Sequence, residues 1–205
     1  MENGKLIVFE GISGTGKETQ AKLLQKTLKT LYRADSHIVY HPTPALKTLL
    51  QVWRKDRHID ATTEVYLLLA DRYDRVTKEI IPLLSKGIWV ISLRNYVSAL
   101  VYQGKTEENR KWIAREFFVF EPKPDILFYF HISPQDALLR IRKRSRETGE
   151  PLGKFETLDL LIKKIQAYKT VLADLPHISV DASQSVESIE KIIRSNLFPL
   201  ESQRT

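Results

Sequence analysis

The chain contains no cysteine and only one methionine among its 205 residues. Without cysteine it forms no disulfide, no thiolate nucleophile and no cysteine-ligated metal site, and this composition fits a reducing compartment. No apolar run approaches the roughly 20 residues that a membrane-spanning helix needs. The polar start at residues 1–5 also lacks the pattern of a secretory signal peptide. We therefore expect a cytoplasmic protein with no membrane partner.

The sequence also lacks the patterns of two common catalytic sites. Its five histidines are scattered without the spacing of metal ligands, so we expect no zinc centre. Nothing supports a Ser-His-Asp arrangement, and Ser13 lies in a glycine-rich turn, which favours a loop residue over a nucleophile.

The charge is unbalanced, with 32 Lys+Arg against 25 Asp+Glu and a formal net charge of +7. Basic residues cluster at Arg140, Arg142, Lys143, Arg144 and Arg146, although on one helix they cannot all face a single ligand. Acidic residues are spread along the chain, and no basic tail or aromatic-basic repeat typical of nucleic-acid binding is present. We expect a multiply charged small ligand and no nucleic-acid polymer as partner.

Hydrophobic patterning predicts an α/β fold, because short β-branched apolar runs alternate with segments of helical spacing. The predicted strands are 5–10, 37–40, 88–93, 126–132 and 177–180. The predicted helices are 17–31, 45–54, 62–84, 97–103, 107–118, 134–146, 157–172 and 186–196. This alternation favours one domain over residues 1–205, with a five-stranded parallel sheet and helices on both faces. Ligands bind beyond the carboxyl ends of such strands, so we expect one site there.

The strongest motif is a glycine-rich turn between the first strand and the first helix: Gly11, Ile12, Ser13, Gly14, Thr15, Gly16, Lys17, Glu18 and Thr19. It fits the phosphate-loop pattern G-x-x-x-x-G-K-[ST] except at its last position. Glycines let several backbone N–H groups face one anion, and the helix dipole adds positive charge at the same place. Lys17 supplies a full charge, so we expect residues 11–19 to bind the β- and γ-phosphates of a nucleotide.

The departure in this loop concerns the metal. The hydroxyl residue that normally holds Mg²⁺ is replaced by Glu18, and Thr19 follows it. A carboxylate repels phosphates unless a metal bridges them or the carboxylate points away. This loop resembles that of the adenylate kinase family, in which the position of Glu18 also carries a residue without a hydroxyl group and a threonine follows it. We expect Mg²⁺ to be held by Glu18, by Thr19 or mostly by water.

Six segments in chain order resemble the thymidylate kinase family, and together they cover nearly the whole chain. They read LIVFEGISGTGKETQAKLL (6–24), LLLADRYDRV (67–76), WVISLRNYVSALVYQG (89–104), PKPDILFYFHISPQDALLRIRKR (122–144), KFET (154–157) and VDASQSVESIEKII (180–193). The resemblance implies a P-loop kinase fold with a small lid, at about residues 142–155. It further implies transfer of the γ-phosphoryl group of ATP to dTMP, which gives dTDP for dTTP biosynthesis, and a homodimer.

The resemblance implies catalytic roles for three cations. Lys17 and the loop 11–19 hold ATP. Arg94 matches the arginine that holds the dTMP phosphate near the transferring group, and Arg144 matches a lid arginine near the ATP phosphates. Phosphoryl transfer mainly needs positioning and neutralisation of anionic oxygens, which these cations supply.

Further matches imply acceptor-binding roles. Arg72 matches the arginine that contacts the base, and Phe155 matches the aromatic residue over the bound nucleotide. Ser98, Tyr102 and Gln103 lie where the family shapes the thymine and sugar pocket. Arg94 belongs to this acceptor set as well.

Structural roles are alternatives for some of these residues. Arg72 has Asp71 and Asp74 beside it on the predicted helix, which would suit a surface ion pair. Tyr102 and Phe155 would also suit an aromatic core.

The chain departs from the family pattern mainly on the acceptor side. Leu93 replaces the aspartate before the arginine, Asn95 replaces the tyrosine or histidine after it, and Ser13 replaces an aspartate of the loop. Residues 40–42 read Tyr-His-Pro instead of Arg-Glu-Pro, and Leu68 replaces the phenylalanine that stacks on thymine. These departures leave two alternatives open, a kinase for another (deoxy)nucleoside monophosphate and a nucleotide-binding protein that has lost catalysis.

Overall fold

A parallel sheet of five strands forms the centre of the computed structural model, which describes residues 4–149 and 151–198. The strands are β1 (Leu6–Glu10), β2 (Ser36–Tyr40), β3 (Trp89–Leu93), β4 (Ile126–His131) and β5 (Ile178–Asp181). Their order in the sheet is β2-β3-β1-β4-β5, and every neighbouring pair is parallel. The predicted α/β fold with a five-stranded parallel sheet is confirmed. Residues 1–3 and 199–205 of the predicted domain, and residue 150 of the predicted lid, lie outside the described residues.

Helices connect and surround these strands. They are α1 (Lys17–Leu31), α2 (Pro44–Asp56), α3 (Ala61–Arg75), α4 (Ile81–Ser85), α5 (Tyr96–Tyr102), α6 (Glu107–Phe118), α7 (Pro134–Thr148), α8 (Leu158–Leu172) and α9 (Val186–Leu197). Several begin at a side-chain cap; Ser133, for example, accepts from the Asp136 N–H and precedes a first-turn proline. Across residues 4–149 and 151–198, no helix is both long and apolar enough to cross a membrane.

One predicted helix is interrupted. The pattern predicts a single helix over 62–84, but a π-helical segment, Val76–Ile80, separates α3 from α4. The Ile81 N–H donates to the Val76 carbonyl five residues earlier. Pro82 in the next turn has no N–H to donate, so a regular α-helical ladder cannot continue through it.

The central strands are buried on both faces. All five residues of β1 are buried, and the ring of Phe9 packs against Phe128 and Phe130 of β4, with centroids 5.6 and 5.0 Å apart. Burial on both faces explains why these strands are nearly continuous apolar runs in the sequence. The sheet thereby fixes the positions of the segments that leave the carboxyl ends of β1 and β3.

Candidate active site

A cleft of about 1240 Å³ lies at the carboxyl edge of the sheet. It exceeds the roughly 300–1,000 Å³ of a pocket for one small ligand. Most of the predicted site residues line it, namely Ser13, Gly14, Thr15, Gly16, Lys17, Glu18, Thr19, Arg94, Ser98, Tyr102, Gln103, Arg144 and Phe155. Gly11, Ile12 and Arg72 are not among the lining residues.

Two glycines of the glycine-rich turn, Gly11 and Gly14, lie so close to neighbouring backbone that a side chain would not fit there. Gly11 and Gly14 have φ angles of 138° and 84°, a region that favours glycine. A Cβ atom on Gly11 would lie 2.3 Å from the Phe130 carbonyl oxygen, and one on Gly14 would lie 2.5 Å from that of Ala137. The turn leads directly into α1, whose first turn lines the cleft. The positive end of the helix dipole is therefore at the cleft.

Lys17 lies against this turn. Its Nζ donates to the carbonyl oxygens of Gly11 and Ile12, at 2.9 and 2.7 Å, and to Thr15 Oγ1 at 2.9 Å. Burial lowers the pKa of Lys17 well below its ordinary value, and the neighbouring Arg94 guanidinium lowers it further. An anion placed between the two cations would stabilise the charged form of both.

Arg94 follows β3 and reaches the same cleft. Its φ angle is 75°, and its N–H donates to the Phe9 carbonyl at 3.0 Å. Its guanidinium donates to Ser98 Oγ at 2.9 Å, to the Tyr168 hydroxyl at 3.1 Å and to the Tyr102 hydroxyl at 3.4 Å. Burial opposes the charge, but the two tyrosines and a nearby carboxylate raise the pKa of Arg94 above its ordinary value. The guanidinium is therefore a permanently charged group, held by hydrogen bonds, in the wall of the cleft.

The nearby carboxylate belongs to Glu10, which sequence reasoning missed. Its side chain is fully buried. Oε1 accepts from the Asn95 and Ser98 N–H groups at 2.9 and 3.2 Å, and Oε2 accepts from Ser98 Oγ at 2.8 Å and from the Tyr168 hydroxyl at 2.7 Å. The signal available was a glutamate that ends an otherwise apolar strand, since buried carboxylates require partners. Tyr168, 158 residues further on, gave no signal of its own.

At the other end of the cleft, polar and aromatic side chains contact one another. Gln103 Nε2 donates to Glu64 Oε2 at 2.8 Å, and Arg54 donates to both oxygens of the same carboxylate at 2.7 and 2.8 Å. The Arg54 guanidinium lies 5.2 Å from the ring centroid of Phe155, which meets the Tyr102 ring edge-on at 5.0 Å. Tyr102 and Phe155 are half-buried at the cleft and not in the interior of the core.

Arg72 lies elsewhere. Its side chain is fully buried, its Nε donates to Glu121 at 2.8 Å, and its NH1 donates to Ser92 Oγ at 3.2 Å. The alternative of a surface ion pair with Asp71 or Asp74 is wrong, because the partner is Glu121 and the pair is buried. Since Arg72 does not line the cleft, its position gives no support to the predicted contact with the base.

The Glu156 carboxylate links two parts of the predicted lid. Arg144 NH2 donates to Glu156 Oε1 at 3.0 Å, and the Gly153 N–H donates to Glu156 Oε2 at 2.7 Å. The first half of the predicted lid, residues 142–148, belongs to α7. Arg144 and the segment 151–156 line the cleft, as do several α2 residues.

The two predicted metal ligands lie at the mouth of the cleft. Glu18 is exposed, pairs with Lys22 at 2.9 Å and accepts from the Tyr40 hydroxyl at 3.3 Å. Thr19 is also exposed beside it. Among the residues that the structure describes, no group of three or more His, Cys, Asp or Glu side chains is arranged to hold a metal ion.

Comparison with known proteins agrees with this geometry. The thymidylate kinase family model matches residues 9–193. The thymidylate kinase of Desulfotalea psychrophila is 31% identical over 193 residues, which cover 93% of this chain and 92% of that protein. A probable thymidylate kinase of Methanosarcina acetivorans is 33% identical over 198 residues, 93% of each chain. The thymidylate kinase of Prochlorococcus marinus is 30% identical over 207 residues, 95% and 96% of the two chains. The resemblance found in the sequence is confirmed, and the chain belongs to the thymidylate kinase family.

Proposed function

We propose that the protein is an ATP-dependent dTMP kinase, which forms dTDP and ADP. The observation that carries this proposal is the shared position of Lys17 and Arg94. They follow the adjacent strands β1 and β3 and line one cleft large enough for two nucleotides. The family membership supports the same activity.

The reaction requires positioning and neutralisation of charge. An oxygen of the dTMP phosphate attacks the γ-phosphorus of ATP, the bond from that phosphorus to the β–γ bridging oxygen breaks, and ADP leaves with that oxygen. The attacking phosphate is already anionic, so no dedicated base is needed. Lys17 and the turn 11–19 hold the donor phosphates, Arg94 lies between donor and acceptor, and Arg144 approaches from the lid. Closure of the lid excludes water and limits ATP hydrolysis.

The two ends of the cleft suit the two nucleosides. We assign the acceptor to Ser98, Tyr102, Gln103 and Phe155, which combine polar groups with aromatic rings. The adenosine of ATP then extends past the first turn of α1 toward Arg140, Ala182, Gln184 and Val186, which line the opposite end. Sequence reasoning did not single out this donor end, since its residues lie on two separate segments of the chain, α7 and residues 182–186.

Glu18 and Thr19 fit a magnesium ion that is bound with ATP. They offer a carboxylate and a hydroxyl, the oxygen ligands that Mg²⁺ accepts, and Mg²⁺ commonly keeps several waters and substrate phosphates as its other ligands. When bound, it would neutralise part of the phosphate charge. The exposed Glu18 carboxylate would reach it by exchanging its pairing with Lys22.

A coupled ADP-release assay tests the function. ADP release should depend on dTMP and exceed release with a panel of other nucleoside monophosphates. Lys17→Met should abolish most of this turnover while its circular dichroism spectrum stays unchanged. If another monophosphate is turned over and dTMP is not, the substrate assignment is wrong; if nothing is turned over, the catalytic assignment is wrong.

We also propose that the protein is a homodimer and that it acts in the cytoplasm. Support for the dimer comes from large apolar side chains that are exposed on α3 and at the end of α6. Tyr66 and Tyr73 are 60% and 55% exposed, and Phe118 and Val119 are 58% and 82% exposed. The cytoplasmic location stays a prediction from composition.

A further inference from the structure

We infer that Glu10 and Tyr168 are positioning residues for Arg94, and that two hydroxyl groups connect the buried carboxylate to the guanidinium. This inference rests on the proposed function for its catalytic consequence. The hydroxyls belong to Ser98 and Tyr168, which lie on α5 and α8, whereas Glu10 ends β1. Three separate elements thus meet at one arginine.

The direction of each hydrogen bond follows from which of the neighbouring groups can donate and which can accept. Ser98 Oγ lies 2.8 Å from Glu10 Oε2 and 2.9 Å from Arg94 NH1. The Tyr168 oxygen lies 2.7 Å from the same carboxylate oxygen and 3.1 Å from the same nitrogen. A guanidinium only donates, and an ionised carboxylate only accepts. Each hydroxyl therefore gives its single proton to Glu10 and presents a lone pair to Arg94.

Glu10 has no capacity left for another role. Each of its oxygens accepts two hydrogen bonds, and the side chain is fully buried. It is therefore suited neither to bind a metal ion nor to accept a proton from the substrate. Its Oε1 also holds the N–H groups of Asn95 and Ser98, which fixes the strained turn at Arg94 with its φ of 75°.

The bridged arrangement leaves part of the guanidinium to the substrates. Of its five N–H groups, three are directed to the hydroxyls of Ser98, Tyr168 and Tyr102. The remaining two are enough for a bidentate contact with phosphate. Arg72 shows the contrast, because its direct contact with Glu121 occupies Nε and NH2 in the interior.

Tyr168→Phe is the decisive variant, because it removes one hydroxyl and no carbon. Tyr129→Phe is the matched control, since Tyr129 is also buried and its ring packs on Tyr168 at 5.2 Å. We expect Y168F to lower kcat with dTMP roughly tenfold or more, the effect of losing a hydrogen bond to a charged group. In the same assay, the kcat of Y129F should stay within about twofold of the wild-type value.

A rescue experiment separates positioning from general stability. In Arg94→Ala, added guanidinium ion should restore turnover, because the hydroxyls still form its binding place. In the double variant R94A/Y168F the rescue should be lost, whereas in R94A/Y129F it should persist. Equal rescue in both double variants, or wild-type turnover in Y168F, would overturn the inference.

A third readout needs no substrate and separates this inference from the proposed function. The NMR signals of the Arg94 guanidinium protons can be assigned by their loss in R94K. These protons should exchange with water slowly in the wild type and in Y129F, and faster in Y168F. Absence of dTMP turnover in the wild type would remove the proposed function alone. Unchanged exchange in Y168F would remove the positioning role, whatever the turnover.

Discussion

Arg94 is half-buried and Arg72 is fully buried, and the two arginines have different surroundings. Arg94 faces the cleft through hydroxyl bridges, whereas Arg72 forms a direct ion pair with Glu121 that is sealed from solvent. The sequence resemblance implied acceptor binding for both. The difference depends on Glu121, which lies 49 residues from Arg72 and carries no local signal of its partner.

Glu121→Gln should therefore destabilise the fold far more than a surface substitution. The Glu121 side chain is 1% exposed, and removing its charge leaves Arg72 buried without a counter-ion. We expect a loss of about 3–5 kcal/mol in the free energy of unfolding by urea denaturation. Glu116→Gln, which breaks the exposed pair with Arg115, should change it by less than about 1 kcal/mol. Equal effects in the two variants would show that the buried pair is not a structural element.

The lowered pKa of Lys17 predicts an unusual pH dependence of ATP binding. Burial and Arg94 lower its pKa, so the side chain loses its charge at a lower pH than an ordinary lysine does. The phosphates favour the charged form, so binding should take up protons on the alkaline side and weaken as pH rises through the lowered pKa. Titration calorimetry in buffers of different ionisation enthalpy measures this uptake. Lys17→Met should bind ATP weakly and without that alkaline dependence; an unchanged profile would contradict the assignment.

For whole helices, the hydrophobic pattern of the sequence predicted where helices lie better than it predicted where they are interrupted. The apolar positions Leu68, Val76, Ile80 and Leu83 allow one continuous helix, and only Pro82 indicates a break. The structure places that break one turn earlier, in the π-helical segment. The start of α7 was predicted more closely, because Ser133 and Pro134 are a local cap signal.

The lid should depend on Glu156 more than on its other carboxylates. Glu156 accepts from both Arg144 and the Gly153 N–H, so it links the end of α7 to the segment before α8. Glu156→Ala should speed amide hydrogen exchange in 151–156 and raise the KM for ATP. Glu147→Gln, whose exposed carboxylate lies 3.9 Å from Lys143, should leave both unchanged. Exchange rates that respond equally to the two substitutions would exclude a special role for Glu156.

For the whole molecule, the alternation of strands and helices predicted the parallel sheet, and general rules for such sheets predicted a site at its carboxyl edge. The strand order β2-β3-β1-β4-β5 was not readable from alternation, which is the same for any order. Loop residues 13–19 could be placed from a local motif. The Glu10–Tyr168 contact could not, because its partners are 158 residues apart in the chain. The Arg54–Glu64 pair could not either, because it joins two helices, α2 and α3, whose relative placement arises only when they pack.

The exposed aromatic surface gives the last prediction, which concerns assembly. Tyr66 and Tyr73 of α3 contact Trp112 of α6 and the following Phe120 edge-on, so the exposed rings of α3 lie beside α6. Exposed apolar surfaces of this kind are typical of interaction sites, so we expect two chains to pair through this face. Analytical ultracentrifugation should find twice the 23.8 kDa chain mass for the wild type, and the mass of one chain for Tyr73→Glu.

Leu31→Glu is the matched control, because Leu31 is 61% exposed and ends α1, which packs against β2 and α9. The control should remain a dimer, since a charge there removes no interface contact. A wild-type protein that sediments as a single chain at every concentration would exclude the homodimer. A dimer that survives Tyr73→Glu and dissociates with Leu31→Glu would place the interface on α1 instead.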